Sequence, residues 1–297
     1  MDIRQFGRSG LSVTPLGFGA MQIGDPRIEE TVAATLLNQV LDAGIGLIDT
    51  ARSYGLSEQR IGRHLASRRE EFLLSTKLGY GVDGCEDWTY ECIRLGVDRA
   101  LTTLATDRID VAHLHSCPAQ VLRDNGVLDA LAVAREQGKI RCAAYSGDNE
   151  ALSVAMESGM IQSVQASISL FDQSNLRSRL ALADTLGNNN GIAVLAKRTL
   201  GGAPWRVATD LASPEAELLR RYQAMASLLP VAEEMADTAL RFAAYAPGVT
   251  CVLVGGTRID HLARNVAAVE RGPLADSMLA RIDEAWARCG TGWDSVI

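Results

Sequence analysis

The sequence predicts an α/β fold: a closed (β/α)8 TIM barrel with an N-terminal β-hairpin and a C-terminal helix, in one domain over residues 1–297. Three observations predict it. Short apolar runs at residues 16–20, 46–49, 72–77, 109–115, 140–145, 163–167, 192–196 and 250–254 are each followed by a helix-like stretch, which makes eight β–α units in 297 residues. The runs are nearly continuous rather than alternating, the pattern of parallel strands whose outer face is covered. The first strand–helix junction, Gly17-Phe18-Gly19-Ala20-Met21, lacks the GxGxxG spacing that an open dinucleotide-binding sheet requires.

Residues 4–13, turning at Gly7-Arg8-Ser9-Gly10, read as a hairpin that precedes the first barrel strand and plugs the bottom of the barrel. Residues 31–43 read as a helix with Val32, Leu36, Leu37, Val40 and Leu41 on one face and Gly44 as its stop. The second, third and fourth apolar runs end at Asp49, Lys77 and His115, and Tyr54 follows Asp49 by five residues. A helix at 128–137 closes with Gly138; the next two strands lead to Ser146 and carry Gln165. Residues 198–229 are too long for a plain βα connection. They hold Gly201-Gly202-Ala203-Pro204-Trp205 and a helix at 214–226, and such an excursion reads as a lid or substrate wall. Residues 274–288 read as a terminal helix, with Gly290-Thr291-Gly292-Trp293 as a tail reaching back over the mouth.

Composition narrows the function classes. With 47% hydrophobic residues the chain can bury a large core, and a net charge of −7 argues against nucleic acid or an acidic membrane surface as partner. The six cysteines show no CxxC or paired spacing and read as buried free thiols of a reducing compartment. Neither a signal-peptide apolar region at the N-terminus nor an apolar run of about 20 residues occurs. The expectation is a soluble, cytoplasmic protein acting on a small molecule.

The C-terminal strand ends of such a barrel carry its site, so Asp49, Lys77 and His115 converge there with Tyr54 beside them. A phenol is a weak acid at neutral pH. An ammonium close by favours the phenolate and lowers the phenol's pKa, and an aspartate keeps that ammonium charged and in place. A histidine alongside donates to, or orients, the oxygen that receives the proton. Together they make a general acid for a carbonyl oxygen or, in reverse, a general base for an alcohol.

The segment Asp49-Thr50-Ala51-x-x-Tyr54-Gly55-x-Ser57-Glu58 resembles the signature of the aldo-keto reductase superfamily. Gly7-Arg8-Ser9-Gly10-Leu11-Ser12-Val13-x-x-Leu16-Gly17 resembles its opening hairpin, Ser75-Thr76-Lys77 its lysine strand, and Asp107-x-x-Asp110-Val111-x-x-x-His115 its histidine strand. Gly138-Lys139-Ile140-Arg141 with Ser146 resembles the approach to its nicotinamide site. The resemblance implies an NADP-dependent oxidoreductase that reduces an aldehyde or ketone by hydride transfer. It makes Tyr54 the acid, tuned by Lys77 and Asp49, and its register selects His115 over His113 to orient the carbonyl. It further implies that Ser146 and Gln165 hold the cofactor carboxamide, with Lys197 and Arg198 nearby. Gly255, Gly256, Thr257, Arg258, His261, Arg264 and Asn265 match the loop and helix that take the adenosine phosphate. Thr257 and Asp260 resemble a capping pair there, and the positive charge of Arg258, His261 and Arg264 favours NADPH over NADH.

The chain departs from the family pattern at several points. Gly147 stands where an asparagine usually follows the serine, and Lys197 where many members stack a tyrosine on the nicotinamide, which leaves that stacking to Trp205 or to the lysine's own stem. Gly255 aligns with a common lysine and His261 with a common arginine. Two other classes compete with the reductase reading. One is a metal-dependent barrel hydrolase built on His113 and His115. The other is a nicotinamide-nucleotide-binding regulatory or partner subunit with little turnover, because reductase-like barrels also serve as channel subunits.

Overall fold

The computed structural model describes residues 1–124, 126–180, 191–206 and 215–296. Strands β1 (Arg4–Gln5) and β2 (Ser12–Val13) form the antiparallel hairpin. Eight parallel strands then close a barrel: β3 (Leu16–Gly19), β4 (Leu47–Asp49), β5 (Leu73–Leu78), β6 (Ile109–His115), β7 (Ile140–Ser146), β8 (Ser163–Ser167), β9 (Ala193–Lys197) and β10 (Cys251–Gly255). β10 pairs with both β9 and β3, which shuts the ring. The expected barrel, hairpin and terminal helix (Asp276–Cys289) are all present.

Period-two alternation sorts every strand into an outer and an inner face. On β6, Ala112 and Leu114 join the core under the helices, whereas Val111 points into the barrel. Leu47, Val111, Cys142, Ala144, Ala193, Leu195, Cys251 and Leu253 fill the lower interior. The same parity continued to the strand ends gives Asp49, His113, His115, Ser146 and Lys197. The barrel is therefore apolar below and polar at its mouth.

The hairpin closes the lower end. Phe6 is fully buried in that inner cluster with Leu11 and Val13, and its N–H donates to Leu11 O at 2.9 Å. Gly7 is required at the turn: its φ is +56°, and a Cβ there would lie 2.3 Å from Gly191 O. Truncating such a ring leaves a cavity that rigid strands cannot collapse, so Phe6→Ala is expected to cost about 3–5 kcal/mol. A fall in the urea midpoint with unchanged slope measures it; a shift near zero would show that the plug carries no weight.

Details differ from the sequence reading. The first helix runs Glu30–Asp42 and turns Ala33, not Val32, toward the barrel, leaving Val32 43% exposed. Val32 stands on the edge of the apolar stripe, where small rotations decide burial. The helix expected at 214–226 is Glu215–Met225, and residues 207–214 of the long excursion lie outside the described residues. Of the six cysteines, four are buried and Cys85 and Cys289 are partly exposed. No helix among the described residues is long and apolar enough to cross a membrane.

Candidate active site

The signature segment leaves β4 and folds back on itself through buried polar contacts. The Thr50 hydroxyl donates to Ser57 Oγ at 2.7 Å and Ser57 to Ala20 O at 2.8 Å, while Thr76 donates to the buried Glu58 carboxylate at 2.6 Å. Asp110, the second aspartate of the histidine-strand pattern, is buried on the outer face of β6, where Arg69 (2.6 Å) and Leu74 N–H (2.8 Å) donate to it. These groups hold the frame and leave four others to face the cavity.

Lys77 Nζ lies 2.6 Å from Asp49 Oδ2 and 2.8 Å from Thr50 O, all buried. Ser75 Oγ and Gln165 Nε2 also donate to Asp49, at 2.7 and 3.1 Å. Burial pushes the Asp49 carboxyl up, but the Lys77 charge and these hydrogen bonds win and hold it below the ordinary carboxylate value. Burial likewise depresses the Lys77 ammonium, and Asp49 and Tyr54 more than restore it. The pair is ionised.

Lys77 Nζ sits 4.7 Å from the centre of the Tyr54 ring, and that ring meets His115 edge-on at 5.9 Å between centroids. Lys77 was expected to lower the Tyr54 pKa. Its pull is present, but burial is the larger effect and the phenol lies above its ordinary value. Burial, with Lys77 and Lys197 as neighbouring cations, drops His115 to about 3. His113 falls to about 4, chiefly by burial, and contacts Ser75 Oγ at 3.1 Å below the cavity. Both imidazoles are neutral. No group of three or more His, Cys, Asp or Glu side chains that could hold a metal ion occurs among the described residues.

Asp49, Tyr54, Lys77, His115, Ser146, Gln165, Lys197 and Arg198 line one cavity of about 400 Å³ at the barrel mouth. Leu200, Ala203, Val254 and Gly255 form a wall shared with a second cavity of about 370 Å³, lined also by Trp205, Arg206, His261, Arg264 and Asn265. The two make a groove running from Tyr54 to the helix Ile259–Glu270.

Two departures acquire physical reasons. A Cβ on Gly147 would fall 2.2 Å from the Tyr145 hydroxyl, so the Tyr145 ring takes the room an asparagine needs. Asn149 turns away instead, exchanging hydrogen bonds of 3.0 Å with Ser295 of the C-terminal tail. Lys197 is tied to the buried Asp148 at 2.9 Å, and Trp205 packs on Phe171 and lines the second cavity, not the first. Of the two groups expected to stack, only the lysine stem borders the cavity of Tyr54. Arg198 donates to Val296 O, so the tail meets the mouth beyond the expected Gly290–Trp293 segment, whose Trp293 packs edge-on against Trp286 instead.

The phosphate-loop reading needs a correction. Arg258, not Thr257, is the residue capping the helix Ile259–Glu270, and no side chain caps it. Asp260 is held by Arg258 at 3.0 Å and Arg264 at 3.6 Å, because an exposed carboxylate between two guanidinium groups finds better partners than backbone N–H groups. Sequence reasoning also missed Tyr80, whose hydroxyl lies 2.8 Å from His115 Nδ1. An aromatic three residues beyond the strand-end lysine was the available signal.

The Gln165 amide tests the fit of a nicotinamide. Its Nε2 is committed to Asp49, which orients the amide, and its buried Oε1 has no hydrogen-bond partner among the described residues. Such an orphan acceptor beside Ser146 fits the N–H groups of a carboxamide.

Comparison with known proteins points to one family. The Aldo/keto reductase family matches residues 15–287. An oxidoreductase of Bacillus subtilis is 26% identical over 292 residues, 93% of this chain and 94% of that one. L-galactose dehydrogenase of Arabidopsis thaliana is 25% identical over 288 residues, covering 91% and 88%. Among solved structures, an aldo-keto reductase of Bacillus halodurans in its holo form superposes with a TM-score of 0.82 at 27% identity, covering 96% of each chain. The chain belongs to the aldo/keto reductase family, oxidoreductases that use a nicotinamide cofactor on small carbonyl compounds.

Proposed function

We propose that this protein reduces the carbonyl of an aldehyde or ketone with NADPH, reversibly, and that Tyr54 is the general acid. The observation that carries the reading is the convergence of the ionised Asp49–Lys77 pair, the protonated Tyr54 and the neutral His115 on one cavity. When bound, the nicotinamide supplies the hydride. The residues of the chain do the rest. The raised phenol stays protonated at neutral pH and has a proton to give; once given, the phenolate faces Lys77. Asp49 keeps Lys77 charged through the cycle. A neutral His115 hydrogen-bonds to the carbonyl oxygen without adding a further cation beside Lys77 and Lys197.

In this reading Ser146 and Gln165 hold the carboxamide, Lys197 and Arg198 border the nicotinamide end, and Gly255, Gly256 and Thr257 allow close backbone approach. Arg258, His261, Arg264 and Asn265 serve the adenosine phosphate. Both arginines are exposed (67% and 71% at the side chain), so a 2′-phosphate competes with Asp260 for them in solvent. The preference for NADPH is accordingly modest.

Titrating NADPH and NADH against the protein, then screening carbonyls with the tighter one, tests both levels. NADPH should bind more tightly, and Arg264→Ala should weaken it roughly three- to tenfold while leaving NADH unchanged. Equal weakening of both cofactors would remove Arg264 from phosphate recognition. Turnover of no carbonyl with either cofactor would overturn the proposed activity.

A further inference from the structure

We propose that Tyr80 is a positioning residue that fixes His115 as the Nε2–H tautomer, with that N–H directed at the substrate's carbonyl oxygen; this rests on the reductase reading above. A neutral imidazole carries one ring proton, and the hydrogen bond made by one nitrogen decides which of the two holds it. With Nδ1 engaged by Tyr80, Nε2 is the ring nitrogen left to donate to a carbonyl oxygen in the cavity that His115 lines. Nδ1 must then be an acceptor, and the group it faces is the Tyr80 hydroxyl at 2.8 Å.

The proton on that hydroxyl has two possible takers. Ser53 Oγ lies 3.3 Å from Tyr80 Oη, half an ångström further than His115 Nδ1. An imidazole nitrogen is also a far better base than a serine hydroxyl. The phenol therefore donates to Nδ1.

The surroundings hold Tyr80 in place for this task. Its ring stacks on the imidazole with 5.6 Å between centroids at 24°, and meets Trp88 edge-on at 5.5 Å. Trp88 is fixed in turn: its backbone N–H donates to Gly79 O at 2.7 Å, and its indole occupies the space where a Cβ on Gly79 would lie, 2.0 Å away. Gly81 is pinned from both sides, accepting from Arg52 Nε at 2.7 Å and donating to Asp87 Oδ1 at 2.9 Å. A loop tied at Gly79, Gly81 and Trp88 presents the Tyr80 hydroxyl with the accuracy that orienting a second ring demands.

The test is the nitrogen NMR spectrum of protein labelled at histidine, which has only four histidines to resolve, with His115→Asn to assign the signals. The wild type should show a protonated Nε2 and an accepting, unprotonated Nδ1 for His115. Tyr80→Phe should shift this to a mixture of tautomers, and lower kcat for carbonyl reduction roughly ten- to a hundredfold with the cofactor Kd unchanged. Ser53→Ala should leave the tautomer as in wild type. A wild-type His115 protonated at Nδ1, or a tautomer unmoved in Tyr80→Phe, would overturn the proposal even if kcat fell. The tautomer is read without turnover, so a failure of the carbonyl-reductase reading shows itself separately, as absence of reduction by the wild type.

Discussion

Replacing Tyr54 by phenylalanine is expected to lower carbonyl reduction by about 10²–10⁴-fold, the usual contribution of a positioned general acid, or roughly 3–5 kcal/mol of barrier. The ring that remains keeps its place between Lys77 and His115, so packing changes little. Cofactor affinity should hold, because Ser146 and Gln165 are untouched. NADPH oxidation over a carbonyl panel, beside a cofactor titration, reads both. A variant as active as the wild type would show that another group supplies the proton. The raised phenol also sets a pH signature. Reduction should be level between about pH 6 and 8, where Tyr54 stays protonated, while alcohol oxidation, which needs the deprotonated oxygen, should rise over the same range.

Lys77→Met is expected to cost both activity and about 3–5 kcal/mol of stability, because Asp49 is left charged and buried without its partner. The loss should depend on pH with a defined sign. In the wild type the Asp49 pKa is held below its unfolded value, so its stabilisation is present above that unfolded value and fades only as pH falls through the depressed one. Without Lys77, burial dominates and the folded pKa rises above the unfolded one. Its contribution is then fully present below the unfolded value and lost as pH climbs through the raised one. The stability gap between variant and wild type should therefore widen from about pH 5 to about pH 8 in urea melts. A gap that narrows or stays level over that range would mean that the buried ion pair does not control Asp49.

The barrel was legible because strand and helix periods differ, and because alternation alone turns Val111, His113 and His115 to one side of β6. Knowing that strand ends meet at the mouth was then enough to gather Asp49, Lys77 and His115, with Tyr54 placed by its spacing. Features decided by competition between partners were not legible. Asp260 looked like a capping acid because its spacing from Thr257 permits it, yet two arginines outbid the backbone for it. The net direction of the Tyr54 shift depended on burial against one cation, a balance that needs the cavity itself. Tyr80 escaped notice because its position follows from a loop folded by Trp88 onto Gly79, a contact no periodicity announces. The missing asparagine at Gly147 was legible, but its reason was not: the Tyr145 hydroxyl fills the space a Cβ there would need.

Deuteride transfer measures the central assignment most directly. The protein is incubated with NADPH carrying deuterium at the transferable C4 position and a panel of aldehydes and ketones, and the products are analysed by mass spectrometry. The site described here predicts an alcohol bearing one deuterium on the former carbonyl carbon, formed by the wild type and nearly absent with Tyr54→Phe. Carbonyl substrates recovered unreduced by the wild type, or alcohol formed without the label, would contradict it.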